Sequence, residues 1–368
     1  MTSTPSLGPI RFEPIIREKI WGGHSLRTRL AKSVLPEAPA GESWEVSGFA
    51  GDRTRVISGG PKGATLDDLI ASHGRDLLGP VVPNRAFPLL FKFIDAGDRL
   101  SVQVHPDDAG ARANGWGDFG KTECWYVVDA APGQEIVMGF KEGVTREDVR
   151  RGIEAATLDT LLNYLRIEPG DVLFVPAGTV HAILGGTLLY EIQESSDTTF
   201  RLYDWGRTGA GGAPRPLHVE ESLQVLDMTW HDRHKIPPLA VHDGAGWAHL
   251  FRVACRYFAL EEFRFSAAVT IALPPKQSFK TLAVLSGAGT LLYDGGEISL
   301  GLGQSVLVPA SQKSVRLQAG QDMHVLLTSV PDLKTEVIGP LQKQGFSNDE
   351  IEMLGGHRPV NDLASVLH

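Results

Sequence analysis

Residues 170–181 constrain the possible folds of this chain more than any other stretch. They read Gly-Asp-Val-Leu-Phe-Val-Pro-Ala-Gly-Thr-Val-His, which is a turn, four apolar residues, a Pro-Ala-Gly corner and then His181. A short apolar run bounded by turn residues is typical of a strand buried on both faces, and proline fixes the corner. The segment therefore predicts a β fold in which His181 faces inward. A histidine after a strand is most often structural, so a functional role depends on the side chains that accompany it.

Two upstream segments supply such side chains. Residues 100–106 alternate in polarity, so Gln103 and His105 point to one face of a strand. Residues 120–128 form a second candidate strand, with Glu123 near its start. Imidazole and carboxylate groups are common zinc ligands, and enzymatic zinc sites leave a position open for water or substrate. Together with His181, these segments predict a Zn²⁺ site.

Length, composition and charge narrow the class of protein. At 368 residues the chain is long enough for two domains, or for one domain with a large insertion. Hydrophobic residues make up 42% and charged residues 21%, which is ordinary for a globular protein. The net charge of −9 disfavours a nucleic-acid partner and offers no basic face to a membrane. An anionic substrate must therefore meet cations that are placed locally.

The cysteines and the N-terminus bear on the compartment. Cys124 and Cys255 are the only cysteines, and both fall on strand-like segments, so no disulfide framework is implied. The first residues have neither a basic start nor an apolar run of signal-peptide length. No apolar stretch approaches the ~18 residues that a spanning helix needs. These features predict a cytoplasmic protein without a membrane partner.

Three segments carry helix signals. Thr65 precedes acidic residues, which predicts an N-capped helix to about Leu78. Apolar residues between 143 and 163 follow a helical period, which predicts a helical insertion around 141–166 between two sheet segments. Residues 331–368 are predicted to be an appendage that contains a capped helix beginning near Ser347.

The C-terminal part contains a degenerate repeat. Residues 303–314 align with 170–181, and Ser314 stands where His181 stood. Residues 280–282 align with 121–123, so that Leu282 replaces the carboxylate of Glu123. This pattern predicts a second unit that keeps the sheet scaffold and lacks the metal ligands.

Several of these segments resemble a known family in their order along the chain. The segment from 170 to 181 matches the second cupin motif, G-x5-P-x-G-x2-H. Residues 87–92, 101–106, 121–125, 176–181 and 196–198 with Arg201 resemble the type I mannose-6-phosphate isomerases (phosphomannose isomerases), in their short bacterial form. The usual first cupin motif, H-x-H followed closely by glutamate, is here Gln103-x-His105 with Glu123 further on, a departure that this family shares. The resemblance covers roughly residues 10–330.

The resemblance implies a fold that is mainly β, with two cupin (jelly-roll) β-barrel units of which the second is degenerate. The predicted domains are a catalytic cupin unit over 1–245 with its helical insertion around 141–166, a degenerate cupin unit over 246–330, and the appendage over 331–368. We expect a monomer, because the second unit covers part of the surface of the first.

The resemblance also implies an activity, which is the interconversion of mannose 6-phosphate and fructose 6-phosphate by proton transfer through an enediol(ate). One Zn²⁺ per chain would be bound by Gln103, His105, Glu123 and His181. Arg201 would be the active-site arginine, close to the developing oxyanion or to a hydroxyl. The alternative for Arg201 is a structural salt bridge with Asp197 or Asp204. The only partner implied is a small sugar phosphate.

Further site residues follow from the predicted inner face. Glu191, ten residues before Arg201, is the preferred catalytic base, and its alternative is to orient a ligand. Lys121 would bind phosphate or assist proton transfer, unless it is a surface lysine at a strand end. Ser101 would donate a hydrogen bond to phosphate, and Asp197 is predicted to be a substrate-binding residue.

Three other functions compete with this one. The first is a cupin isomerase that acts on another sugar phosphate, such as glucose 6-phosphate. The second is a metal-dependent cupin that binds a sugar without turnover, against which Glu191, Arg201 and Lys121 argue. The third is a storage-type bicupin with a purely structural role, which leaves the inward polar cluster unexplained.

Overall fold

Strands make up most of the regular structure, in a computed structural model that describes residues 7–34, 39–83, 86–208, 212–232, 234–357 and 360–368. The prediction of a mainly β chain is confirmed. The strands of the N-terminal part are β1 Arg11–Glu13, β2 Ile15–Gly23, β3 Ala40–Ser47, β4 Arg55–Ser58, β5 Leu89–Ala96, β6 Val102–Val104, β7 Glu123–Ala130, β8 Glu135–Phe140, β9 Leu162–Arg166, β10 Val172–Val175, β11 His181–Ala182, β12 Thr187–Glu194 and β13 Phe200–Tyr203. Those of the C-terminal part are β14 Leu239–Gly244, β15 Trp247–Ala254, β16 Ala259–Phe265, β17 Val269–Ala272, β18 Lys280–Ser286, β19 Ala288–Tyr293, β20 Gly296–Gly301, β21 Ser305–Val308, β22 Arg316–Ala319 and β23 His324–Ser329.

Two antiparallel sheets form the N-terminal part of the fold. A six-stranded sheet has the order β10-β7-β12-β5-β2-β3, and a five-stranded sheet has the order β13-β6-β11-β8-β9. Their facing sides share an apolar core to which Trp125 and Leu189 of the first sheet and Ile136 and Met138 of the second belong. In the part of the chain that the structure describes, neither sheet closes on itself into a barrel.

A second pair of sheets forms the C-terminal part, with the orders β14-β15-β16-β23-β18-β21 and β17-β22-β19-β20. One core lies between these two sheets, and a larger core joins the two six-stranded sheets through side chains such as Tyr126 and Phe251. Strand β14 pairs with β15 across residue 245, so this sheet begins before residue 246. The division of the chain into domains at residue 245 stays a prediction.

Strand register corrects one part of the predicted repeat. Glu123 lies opposite Val175 in the pairing of β7 with β10, and Lys280 lies opposite Val308 in the pairing of β18 with β21. Because Val308 is the counterpart of Val175 in the repeat, Lys280 rather than Leu282 occupies the position of Glu123. The sequence alignment of 280–282 was therefore wrong by two residues, a shift that keeps the same face of the strand.

The helices are short and lie between or after the strands. They are α1 Ser25–Thr28, α2 Leu66–Leu78, α3 Asp108–Ala113, α4 Arg146–Glu154, α5 Val219–Val225, α6 Gly339–Lys343, α7 Asn348–Met353 and α8 Asp362–Leu367, with a 3₁₀ turn at Leu158–Leu161 and a π turn at Leu333–Ile338. The predicted caps are confirmed, because Thr65 and Ser347 each accept a hydrogen bond from the third residue of the helix that follows. None of the helices described is long and apolar enough to cross a membrane.

Two helical predictions need correction or extension. Residues 162–166 of the predicted helical insertion form strand β9, in which half-buried and exposed side chains alternate after the buried Leu162. The helical period ends with α4 because the chain then pairs with β8, where Tyr164 lies opposite Val137. The segment from 331 onward is built into the fold, since Val337, Ile351 and other apolar side chains from it join the core between the six-stranded sheets.

Candidate metal centre

Three of the predicted ligands meet in the space between the two N-terminal sheets. The ligand atoms of His105, Glu123 and His181 all lie within 4.8 Å of one another, and all three side chains are buried. His181 begins β11 directly opposite Gln103 of β6, while Glu123 begins β7 on the facing sheet. The amide of Gln103 reaches the same place, with Nε2 3.3 Å from Nε2 of His181.

Hydrogen bonds orient both histidines toward this cluster. Nδ1 of His105 lies 2.8 Å from the carbonyl of Thr198, and Nδ1 of His181 lies 2.9 Å from the carbonyl of Thr179. A carbonyl only accepts, so each Nδ1 carries the proton and each Nε2 presents a lone pair to the cluster. Burial lowers the pKa of His181 to about 4, and burial with the nearby Lys121 ammonium lowers the pKa of His105 well below its ordinary value. Two neutral imidazoles and a carboxylate fit a divalent transition metal.

Lys121 lies against the candidate ligands. Its Nζ is 3.1 Å from Nε2 of His105, and it also contacts the carboxylate of Glu123. The side chain is 4% exposed, which rules out the alternative of a surface lysine. Burial lowers the pKa of Lys121 to about 8, although the charge of Glu191 opposes that shift. An amine with a pKa near neutrality is suited to proton transfer.

Glu191 lies in the middle of a row of side chains across the six-stranded sheet. In the strand register it is opposite Lys92 of β5 on one side and Trp125 of β7 on the other. Its Oε1 accepts a hydrogen bond of 3.1 Å from Nε1 of Trp125, and its Oε2 lies 3.2 Å from Nζ of Lys92. Burial acts to raise the pKa of Glu191, but the charges of Lys92 and Lys121 outweigh it and lower the pKa. The carboxylate is therefore ionised at neutral pH.

A polar cavity of about 280 Å³ opens onto this group of residues. It is lined by Lys19, Trp21, Glu42, Lys92, Ile94, Leu100, Ser101, Gln103, Lys121, Ile183, Glu191, Asp197, Thr199, Arg201 and Arg215. Five of these side chains are cationic and three are carboxylates, although the whole chain carries a net charge of −9. The cavity is thus a local site of positive charge that can attract an anionic ligand.

The cavity brings together the remaining residues predicted from the sequence. Ser101, Gln103, Lys121, Glu191, Asp197 and Arg201 all line it, while His105, Glu123 and His181 are buried behind it. The roles of these residues, as ligands, base or substrate contacts, stay predictions.

Arg201 is held by a backbone carbonyl. Its Nη1 donates a 2.8 Å hydrogen bond to the carbonyl of Pro216. Among the residues that the structure describes, no carboxylate lies within ion-pair distance of Arg201, and Asp204 is paired instead with Arg215. The alternative of a structural salt bridge with Asp197 or Asp204 therefore has no support. Burial and the neighbouring Arg215 charge lower the pKa of Arg201.

Sequence reasoning missed three charged residues of the cavity wall and one buried neighbour. The missed charged residues are Lys19, Lys92 and Arg215, and the buried neighbour is Trp125. A signal for Lys92 was present, because it is a lone charge in the apolar run Leu-Leu-Phe-Lys-Phe-Ile of residues 89–94. The others gave no such signal, because only the strand register and the folding of loops bring them here.

The facing sheets and the buried cluster of two histidines and a carboxylate define a cupin-class protein with a candidate metal centre. A family model described as mannose-6-phosphate isomerase, cupin domain, matches residues 249–326, and one described as phosphomannose isomerase type I, catalytic domain, matches residues 10–126. Mannose-6-phosphate isomerase ManA of Bacillus subtilis (strain 168) is 34% identical over 311 residues, which cover 84% of this chain and 96% of that protein. The mannose-6-phosphate isomerase of Streptococcus mutans is 36% identical over 306 residues, which cover 83% of this chain and 94% of that protein. The chain therefore belongs to the mannose-6-phosphate isomerase family, and the predicted family is confirmed.

Solved structures agree with this assignment. The crystal structure of the mannose 6-phosphate isomerase from Bacillus subtilis matches with a TM-score of 0.80 and 31% identity, and it covers 87% of this chain and 99% of its own. A variant of phosphomannose isomerase from Salmonella typhimurium matches with a TM-score of 0.70 at 16% identity, over 88% of this chain and 99% of its own, which shows a shared fold.

Proposed function

We propose that the protein is a zinc-dependent isomerase that interconverts mannose 6-phosphate and fructose 6-phosphate. The observation that carries the proposal is the position of the buried cluster of His105, Glu123 and His181 behind a cationic cavity of sugar-phosphate size. The relatives named as mannose-6-phosphate isomerases support the choice of substrate. Cations on the cavity wall suit the phosphate, and carboxylates suit the sugar hydroxyls.

The donor set supports zinc as the metal. His105 and His181 would bind through Nε2 and Glu123 through its carboxylate, and Gln103 would add its amide oxygen. Zinc held there would act as a Lewis acid that stabilises negative charge on the sugar oxygens during isomerisation. The hydrogen bonds from both Nδ1 atoms to backbone carbonyls fix the rings for this purpose.

Two protein groups divide the proton transfers in this proposal. Glu191 is ionised, faces the cavity, and would move the proton between C1 and C2 of the substrate. Lys121 has a pKa lowered by burial to about 8, so it would exchange a proton with the sugar oxygen next to the reacting carbon. A second possible role for Glu191, the orientation of a ligand, predicts a much smaller loss of rate on its removal.

Charged and polar side chains would hold the substrate in place. The guanidinium of Arg201 keeps its charge at neutral pH, and its buried Nε has no hydrogen-bond partner within the described residues. It would therefore donate to the developing oxyanion or to a hydroxyl turned toward it. Ser101 would donate to the phosphate, and Asp197 would accept from a sugar hydroxyl.

The same proposal includes a fold of two cupin units. Each pair of facing sheets would be one cupin jelly-roll unit, with the second unit lacking the metal ligands. Two free, buried cysteines suit a reducing compartment, which supports a cytoplasmic enzyme. The six-stranded sheet of the C-terminal part packs against the outer face of the six-stranded N-terminal sheet, which supports a monomer.

The test is conversion of mannose 6-phosphate to fructose 6-phosphate by the purified protein, before and after chelation and after zinc is added back. We expect activity that chelation removes and zinc restores, and large losses of kcat in Arg201→Ala and Glu191→Gln. The exposed carboxylate Glu297 provides a matched control, because Glu297→Gln makes the same chemical change on β20, outside the lining of the cavity.

Two outcomes would change the assignment. If zinc-loaded protein converts glucose 6-phosphate but not mannose 6-phosphate, the substrate is wrong while the isomerase chemistry stands. If it converts no sugar phosphate yet binds mannose 6-phosphate in a zinc-dependent way, the protein is a binding cupin and the enzyme proposal fails.

A further inference from the structure

The indole of Trp125 lies between the candidate metal centre and the candidate catalytic base. The side chain is fully buried on the inner face of β7. Its Nε1 is 3.1 Å from Oε2 of Glu123 and 3.1 Å from Oε1 of Glu191. An indole nitrogen has one hydrogen and only donates, so a single N–H is shared between the two carboxylates.

The other oxygens of these carboxylates already have partners. Oε1 of Glu123 contacts the ammonium of Lys121, and Oε2 of Glu191 lies 3.2 Å from Nζ of Lys92. Each carboxylate is therefore held at two points, with a lysine at one oxygen and the indole at the other. Without the indole, each would keep one anchor and could rotate about it. Two buried carboxylates would also face each other without a donor between them.

We infer that Trp125 is a positioning residue, which fixes the orientation of a candidate zinc ligand and of the candidate base through one shared N–H. Strand register produces this arrangement, because Glu191 lies directly opposite Trp125, and Glu123 precedes Trp125 by two residues on the same face. A purely structural Trp125, which only fills the core between the two sheets, would need no N–H. The catalytic part of this inference rests on the proposed function, whereas the metal-binding part does not.

Trp125→Phe separates the two roles, since it keeps an aromatic ring in the core and removes the donor. Removal of such an outer hydrogen bond lowers metal affinity by about 10- to 100-fold in metal sites, so we expect a loss of that size in zinc affinity, measured by competition with a chelator. With zinc saturating, we expect kcat to fall at least tenfold and KM to change less than about threefold, because Trp125 is not among the cavity-lining residues.

Tyr126→Phe is the matched control on the same strand. Tyr126 is also buried, and its hydroxyl donates a 2.8 Å hydrogen bond to Glu262 on the opposite face of the sheet. This variant loses one buried donor and keeps its ring, so it should lower stability without changing zinc affinity or kcat. Equal zinc affinity and kcat in Trp125→Phe and the wild type, or equal losses in the two variants, would overturn the inference.

A spectroscopic measurement keeps the inference testable if Trp125→Phe does not fold. The chain has seven tryptophans, and each contributes one indole resonance to a ¹⁵N–¹H spectrum. Glu191→Gln should shift one of these resonances far more than Glu297→Gln does. If no indole resonance responds selectively, the shared hydrogen bond is absent and the inference fails. If the wild type isomerises no sugar phosphate but Trp125→Phe still weakens zinc binding, the proposed function fails and the positioning of Glu123 stands.

Discussion

Replacement of Glu262 by glutamine tests how the two six-stranded sheets are held together. Glu262 of β16 is fully buried at their interface. It accepts a 2.8 Å hydrogen bond from the hydroxyl of Tyr126 on β7, lies 2.7 Å from Nε2 of His324, and pairs with Arg252. Arg252 also donates a 2.7 Å hydrogen bond to the carbonyl of Gly170, at the start of the segment that carries His181. The carboxylate therefore links the C-terminal sheet to two elements that build the candidate metal centre.

Glu262 stabilises the fold through its charge and through its buried partners. Burial acts to raise the pKa of Glu262, but the hydrogen bond from His324 and the charge of Arg252 lower the pKa from 4.5 to about 2. A shift of that size corresponds to about 3 kcal/mol of stability at neutral pH. Removal of one partner from a buried ion pair typically costs about 3–5 kcal/mol, because the remaining charge loses its compensation. We therefore expect Glu262→Gln to destabilise the protein by about 3 kcal/mol.

The assay is urea unfolding at a series of pH values, with Glu297→Gln as the exposed control. Because the pKa of Glu262 is lower in the folded state, its contribution is complete above about pH 4.5 and is lost as the pH falls toward about 2. The stability gap between wild type and Glu262→Gln should be largest at neutral pH and shrink over that acidic range. A gap below about 1 kcal/mol at pH 7, or one that does not change with pH, would refute the reasoning.

Three further predictions follow from the same structure. Chelation should lower the midpoint of thermal unfolding, and zinc at 100 times its Kd should restore about 2.7 kcal/mol of stability, as measured by calorimetry. Identical midpoints with chelator and with zinc would mean that the protein binds no metal. Arg201→Lys should lower kcat about 100-fold or more although the charge is kept, because an ammonium cannot both donate to the Pro216 carbonyl and reach the substrate with a planar fork. Steady-state kinetics measures this change. A kcat near that of the wild type would mean that Arg201 acts through its charge alone. Gly79→Ala should cost about 1–3 kcal/mol or more, because Gly79 has a φ of +88° and a Cβ there would collide with the carbonyl of Gln277. Gly51→Ala, at a φ of +91° with nothing within 4 Å, is the control for strain alone, and equal unfolding midpoints for the two variants would contradict the clash.

Local signals in the sequence were enough to predict the elements that depend on neighbouring residues. The apolar run and corner of residues 170–181 became β10, a turn and β11. Thr65 and Thr145 cap helices because each cap is completed within four residues of chain. The alternation around Gln103 and His105 predicted their shared face, since alternation is a property of one strand.

Contacts between strands could not be predicted from such local signals. Lys92, Glu191 and Trp125 lie about 33 to 99 residues apart along the chain and meet only because β5, β12 and β7 pair in one register. A shift of one residue in either pairing would turn the partner side chain to the opposite face. The alignment of Leu282 with Glu123 failed for the same reason, because a degenerate repeat does not fix the register of its strands.

The corrected register explains how the second pair of sheets differs from the first. Where the first pair has the carboxylate of Glu123, the second has the amine of Lys280, which is 2% exposed. Burial, together with the nearby Lys313 and Lys276, lowers the pKa of Lys280 to about 8, so the amine is still largely protonated at neutral pH. An ammonium at this position repels a divalent cation, whereas a carboxylate attracts one. The two halves thus share a strand pairing but carry opposite charges at the position of Glu123 and Lys280. The second half instead stabilises the first through contacts between the sheets, such as the hydrogen bond from Tyr126 to Glu262.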